Sequence, residues 1–119
     1  MARILLAEDD DSMRAFLKRS LTKAGHEVDD VADGVDALAA LIANRYDLLL
    51  ADIVMPGLDG IELARRAADD DPTLRVVLIT GFAAVALRAQ DEAPAGAQVL
   101  SKPMHLRDLV NQVDDILAA

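Results

Sequence analysis

Leu48-Leu49-Leu50-Ala51 is a fully apolar run that stops on Asp52, and Pro56-Gly57 then breaks the chain before a helix carrying Ile61, Leu63 and Ala64. A short apolar run bounded by turn residues, with a longer helical stretch behind it, is the grammar of a buried strand followed by a crossover. The same grammar recurs in both directions. Upstream, Arg3-Ile4-Leu5-Leu6-Ala7 reads as a strand, and residues 11–24 place Met13, Phe16, Leu17 and Leu21 on one helical stripe that Gly25 stops. Glu27 to Val31 is a weaker strand, and residues 34–43 form a second helix with Val35, Leu38, Leu41 and Ile42 on its face. Downstream, Pro72 ends the third helical region and Arg75-Val76-Val77-Leu78-Ile79 is the clearest strand of all. Pro94 and Gly96 crowd the end of a segment at 83–92 and leave its helical reading open. Ala97 to Leu100 is a short strand, and residues 105–117 form the last helix, with Leu106, Leu109, Val110, Val113 and Leu117 on its face.

Five β/α units with continuous apolar strands imply a parallel sheet covered on both faces, an α/β fold with right-handed crossovers. Units of this number and size favour a flavodoxin-like, doubly wound (βα)5 domain with strand order 2-1-3-4-5. The length of 119 residues fits one domain, 1–119. Composition excludes several function classes. There is no Cys, so disulfide scaffolds, Cys-ligated zinc and iron–sulfur clusters are out. A formal charge of −9 and 3% aromatic residues argue against nucleic acid as a partner. No apolar run approaches the roughly 20 residues of a membrane span. Met1-Ala2-Arg3 enters the first strand with no signal-peptide pattern, so the expectation is a soluble cytoplasmic domain.

In such sheets, ligands bind beyond the carboxyl ends of the strands. Glu8, Asp9, Asp10 and Asp11 follow the first strand, Asp52 the third, Thr80 and Gly81 the fourth, and Lys102 and Pro103 the fifth. Each has an ordinary alternative: helix capping for Glu8 to Asp11, a turn former for Asp52, a β-former for Thr80, a solvated lysine for Lys102. Asp10 or Asp11 fits the cap; Glu8 and Asp9 fit it poorly. Three carboxylates on one rim would repel by roughly 4 kcal/mol per pair at about 4 Å. A hard divalent cation with oxygen ligands relieves this, and Mg2+ leaves positions for a phosphoryl group. Asp52 then reads as the nucleophile and phosphoacceptor, Lys102 as a point charge for a phosphate oxygen, and Thr80 as a hydroxyl donor. His26 and His105 read as polar surface or capping residues, with no role in metal binding or catalysis.

Glu8-Asp9, the run Asp52-Ile53-Val54-Met55-Pro56-Gly57-Leu58-Asp59-Gly60, Ile79-Thr80-Gly81, and Leu100-Ser101-Lys102-Pro103 resemble the receiver domain of two-component response regulators over the whole chain. The resemblance implies that Asp52 is phosphorylated from a histidine phosphodonor, a sensor kinase or a histidine phosphotransferase. It implies that Asp9, Asp52 and the backbone carbonyl of Val54 coordinate Mg2+, with Glu8 acting mostly through water. It implies that Thr80 and Lys102 bind the phosphoryl group and that the Lys102–Pro103 bond is cis. A narrower resemblance, carried by residues 61–67, 80–87 and 105–111, is to stand-alone receivers that act with the ClpXP protease in bacterial cell-cycle control. It implies ClpX as a partner, activity in the unphosphorylated form, and a ClpX-recognised character for the tail Leu117-Ala118-Ala119.

Receivers usually carry an aromatic switch residue three positions before the lysine. Here that position is Val99, so a moving Thr80 has no ring to draw inward. Pro94 and the Ala-rich stretch 83–89 predict a short or mobile fourth helix, and switching through that helix and its loops. Met13 and Leu17 resemble the side that docks a histidine phosphotransferase, with core packing as the alternative. The chain ends directly after its last helix, so the expected output is protein–protein contact without an output domain. Enzymes on the same fold fit less well. A haloacid-dehalogenase-type phosphatase would want a second Asp at the position of Val54, and Glu8 to Asp11 would repel a flavin phosphate. A phosphate sink or motility-type regulator remains the alternative receiver role.

Overall fold

The computed structural model describes residues 2–101 and 106–118. Strands β1 (Arg3–Ala7), β2 (Glu27–Val31), β3 (Leu48–Asp52), β4 (Arg75–Thr80) and β5 (Gln98–Ser101) alternate with helices α1 (Asp11–Lys23), α2 (Gly34–Ala43), α3 (Gly60–Asp70), α4 (Ala83–Glu92) and α5 (Leu106–Ala118). All pairings are parallel, and the strand order is β2-β1-β3-β4-β5, as the alternation predicts.

The three central strands read as unbroken apolar runs because both of their faces are covered. Period-two alternation sends their side chains into two separate cores. Ile4, Leu6, Leu48, Leu50, Val77 and Ile79 pack with Leu17 and Leu21 of α1 and Leu109 and Val113 of α5. Leu5, Ala7, Leu49, Ala51, Val76 and Leu78 face α2, α3 and α4 through Ala37, Leu63, Ala64, Ala67 and Ala89. The edge strands are the weaker patterns, and β2 carries Glu27, Asp29 and Asp30, charges that discourage edge-to-edge pairing.

Helix α1 starts at Asp10, whose Oδ1 accepts from Met13 N at 2.9 Å. It ends in a Schellman motif: Gly25, at φ +100°, donates to Thr22 O, and His26 N donates to Leu21 O. Asp33 and Asp59 cap α2 and α3 in the same way as Asp10 caps α1. Three apolar residues predicted to face inward do not. Phe16, Val35 and Ile42 are 48%, 60% and 73% exposed. Each lies roughly 100° around its helix from the side that meets the sheet, as 3.6 residues per turn requires. Helix α4 forms in full where the sequence left it open. Its C-cap, Ala93, is already extended at ψ 154°, the conformation that a following proline demands. Pro94 and Gly96 therefore lie beyond the helix, and they end it without interrupting it.

Tyr46, just before β3, is buried and donates its hydroxyl to Asp29 Oδ2 at 2.6 Å. The Arg3 guanidinium lies 5.0 Å from its ring centroid. Burial, reinforced by Asp29 and opposed by Arg3, pushes the phenol up to about 12. The folded state thus keeps a proton that the unfolded chain loses near pH 10. Stability from this group is complete below pH 10 and drains as pH rises toward 12, by about 2–3 kcal/mol. The chain has one Tyr and no Trp, so phenolate absorbance reports this residue alone. An ordinary titration near pH 10 in the folded protein would refute the assignment, and Tyr46→Phe is expected to flatten the alkaline limb of the stability profile.

Candidate functional site

The strand order reverses between β1 and β3, and the two strands run in register with Ala7 opposite Ala51. The next residue along each is an acid, Glu8 and Asp52, and Asp9 follows. Carboxylate oxygens of Glu8, Asp9 and Asp52 all lie within 4.8 Å of one another. Glu8 is fully buried and Asp52 is 7% exposed, while Asp9 is open to solvent. At that separation each like-charged pair repels by about 3–4 kcal/mol at intermediate dielectric. The donors are all hard carboxylate oxygens, which fits Mg2+ better than any softer metal.

The backbone fixes these side chains. Glu8 N donates to Val31 O at 3.1 Å, and Glu8 Oε2 accepts from Asp10 N at 3.2 Å. Asp52 Oδ1 accepts from Val54 N at 3.2 Å. Val54 thus belongs to the site through its main chain, and its side chain is 47% exposed. The loop 53–59 is held down by Ile53 N on Ile79 O at 2.9 Å and Gly60 N on Ile53 O at 2.8 Å. Thr80 ends β4, one step past Ile79, the partner of Asp52. It is fully buried, and its Oγ1 accepts from Phe82 N at 3.2 Å. Lys102 and Pro103, with the expected cis bond between them, lie outside the described residues, as do His105 and Ala119 of the tail. Val99 pairs with Leu78 and is half-buried among aliphatic neighbours, on the α4 side of the sheet.

Three features of the site region were not readable from composition or spacing. Arg14 reaches from α1 to the carbonyl of Glu8 at 2.9 Å, to Asp11 at 2.7 Å and to Asp30 at 3.2 Å. The bond to Asp11 raises the Arg14 pKa, with Asp30 adding to it. Lys18, at 2.8 Å, lowers that of Asp30 against its partial burial. Gly34 opens α2 directly under the Leu58 carbonyl. A glycine at a helix start that a capping Asp already serves was the available signal. Two readings need correction. Leu17 is fully buried in the α1–α5 core and cannot dock a partner, and Met13 packs against the same core. Of the two readings of His26, surface and cap, the structure keeps only the cap: its N closes the end of α1 on Leu21 O, while its ring is largely buried, with Nδ1 accepting from Ala2 N at 3.3 Å and Nε2 meeting Asp114 Oδ1 at 2.6 Å, which straps α5 to the start of β2.

Among the described residues, no helix is long and apolar enough to cross a membrane. The family model for the response regulator receiver domain matches residues 4–114. Among curated proteins, the chain is 56% identical over 119 residues to the response regulator receiver protein CpdR of Brucella abortus, covering all of this chain and 99% of that one. It is 38% identical over 107 residues to the transcriptional regulatory protein TcrA of Mycobacterium tuberculosis, covering 90% of this chain and 42% of that one. Among solved structures, a response regulator receiver protein from Sinorhizobium medicae superposes with a TM-score of 0.91 at 31% identity, over 98% of this chain and 94% of that one. The response regulator TrrA of Thermotoga maritima, solved with Mg2+ and a beryllofluoride group, superposes with a TM-score of 0.86 at 27% identity, over 98% and 99% of the two chains. The chain belongs to the response regulator receiver domains, which are phospho-accepting signalling modules.

Proposed function

We propose that this protein is a single-domain regulator, 1–119, of a cytoplasmic phosphorelay. Asp52 takes a phosphoryl group from a histidine phosphodonor, and its phosphorylation state decides contact with the ClpX unfoldase, the unphosphorylated form being the active one. The observation that carries the reading is the acidic cluster at the β1–β3 reversal, with Asp52 held by the Val54 amide. The full-length likeness to CpdR supports the narrower role.

Glu8, Asp9, Asp52 and the Val54 carbonyl would hold Mg2+, Glu8 mostly through water. When bound, the ion supplies positive charge to the transferring group. The chain does the rest. An Asp52 carboxylate oxygen forms the O–P bond as the P–N bond to the donor histidine breaks, and the electron pair returns to the imidazole. The Val54 amide orients that carboxylate. Thr80 already accepts from Phe82 N, so its hydroxyl proton is the part left for a phosphoryl oxygen, and Lys102, which the receiver resemblance assigns to phosphate binding, would add positive charge. Phe82 is the N-cap residue of α4, which has no side-chain cap. A Thr80 that turns toward phosphate therefore disturbs the first turn of α4 directly, with Val99 needing no ring to relay the movement.

The test is a pull-down with purified ClpX, using wild type and Asp52→Ala, each with and without acetyl phosphate and Mg2+. Wild type is expected to lose binding on phosphorylation and the variant to keep it. Absence of binding in every state would remove the protease role and leave a phosphate sink or motility-type regulator as the reading.

A further inference from the structure

Arg14 spends its guanidinium on three partners, one in the segment just after β1, one in the first turn of its own helix α1 and one on β2. Nη1 donates to the backbone carbonyl of Glu8, Nη2 to Asp11 at the start of α1, and Nε to Asp30 on β2. The side chain is only 19% exposed, and Asp30 is itself gripped by Lys18. Asp11 and Asp30 are not members of the acidic cluster, and at Glu8 the bond goes to the main chain. The carbonyl of Glu8 belongs to the peptide that joins Glu8 to Asp9. The fork thus fixes the orientation of the one peptide plane that separates two of the three clustered carboxylates. A planar guanidinium can bridge three partners in this way, whereas a lysine ammonium at the same place cannot reproduce the fixed fork.

We infer that Arg14 is a positioning residue of the phosphoacceptor site: by holding the Glu8–Asp9 peptide against α1 and β2 it sets the spacing of the carboxylates and so the affinity for the divalent cation. The inference rests on reading the cluster as a Mg2+ site. Charge and position make opposite predictions here. A cation beside the cluster opposes Mg2+, so its removal through charge alone would tighten binding. Loss of the anchored peptide loosens it. Outer-shell groups of this kind are worth about tenfold or more in metal affinity.

The experiment is a Mg2+ titration of the full chain by calorimetry, for wild type, Arg14→Lys, Arg14→Ala and Asp30→Asn, with circular dichroism and melting temperature recorded on each sample. Arg14→Lys, which keeps the charge, is expected to weaken Mg2+ binding by roughly tenfold. Arg14→Ala is expected to weaken it at least as much, and Asp30→Asn to weaken it less. In phosphorylation by acetyl phosphate, Arg14→Lys is expected to raise the Mg2+ concentration for half-maximal rate and to leave the rate at saturating Mg2+ near that of wild type. Global damage to the fold would lower both. Mg2+ binding by folded Arg14→Lys at wild-type affinity, or tighter, overturns the inference while the cluster stands. Wild type that binds no Mg2+ overturns the cluster reading, and this inference with it.

Discussion

Asp52→Asn is expected to abolish phosphorylation by acetyl phosphate outright, while wild type gains the mass of one phosphoryl group in the presence of Mg2+. The amide keeps the shape of the side chain and can still accept from the Val54 amide, now bonded to Asp52 Oδ1 at 3.2 Å. What it lacks is the anionic oxygen that forms the bond to phosphorus. The same substitution removes one of three charges packed within 4.8 Å. Repulsion of about 3–4 kcal/mol per pair is relieved, less whatever the carboxylate gains from its other neighbours. The variant is therefore expected to be no less stable than wild type without metal. Mg2+ at about a hundred times its dissociation constant stabilises wild type by about 2.7 kcal/mol, and the variant by clearly less. Loss of modification with no loss of stability separates a functional carboxylate from a structural one. Mass addition at a site other than Asp52 in the variant would refute the assignment. Beryllofluoride added to the same wild-type sample is expected to shift amide resonances across residues 80–96, where Thr80 and Phe82 tie the site to α4. Silence in that stretch would exclude α4 as the switch.

The sheet was legible because β1, β3 and β4 are buried on both faces, which leaves no polar alternation to confuse their reading. Glu8, Asp9 and Asp52 were legible because a charge that ends an apolar run must sit at a strand end, and parallel strands put all such ends on one rim. Position along a helix was less so. Phe16 falls at three residues from Met13 and looks like stripe, yet the side that meets the sheet is fixed by Leu17 and Leu21. What escaped entirely were polar pairs that depend on register between distant segments. Arg14 meets Asp30 and His26 meets Asp114, 16 and 88 residues apart, because β2 and α5 flank α1 and β1 in space. No local spacing encodes such pairs.

The strongest test of how the backbone builds the site lies in two glycines. Helix propensity alone predicts that Ala in place of Gly34 or Gly60, each the first residue of a helix, gains up to about 1 kcal/mol. The packing predicts the reverse. A Cβ on Gly34 would stand 1.8 Å from the Leu58 carbonyl oxygen, and one on Gly60 would stand 2.5 Å from the Asp52 carbonyl oxygen and 2.8 Å from Ile53 Cα. All of these are backbone atoms, so no side chain can rotate away. The loop 53–59 is clasped between the start of α2 and the end of β3, and either methyl group must push it outward. Overpacking of this kind costs about 3 kcal/mol. Because the same loop carries the Val54 amide that holds Asp52, Gly34→Ala is also expected to weaken Mg2+ binding from a distance, without altering any residue of the acidic cluster. Gly25→Ala is the control: nothing lies within 4 Å of its Cβ position, and only the φ of +100° is strained, at about 1 kcal/mol and with no effect on the metal. Urea unfolding followed by circular dichroism, with a Mg2+ titration of each folded variant, gives both readouts. A Gly34→Ala protein as stable as wild type would mean that the loop does not rest on α2, and the positioning of Val54 would need another cause.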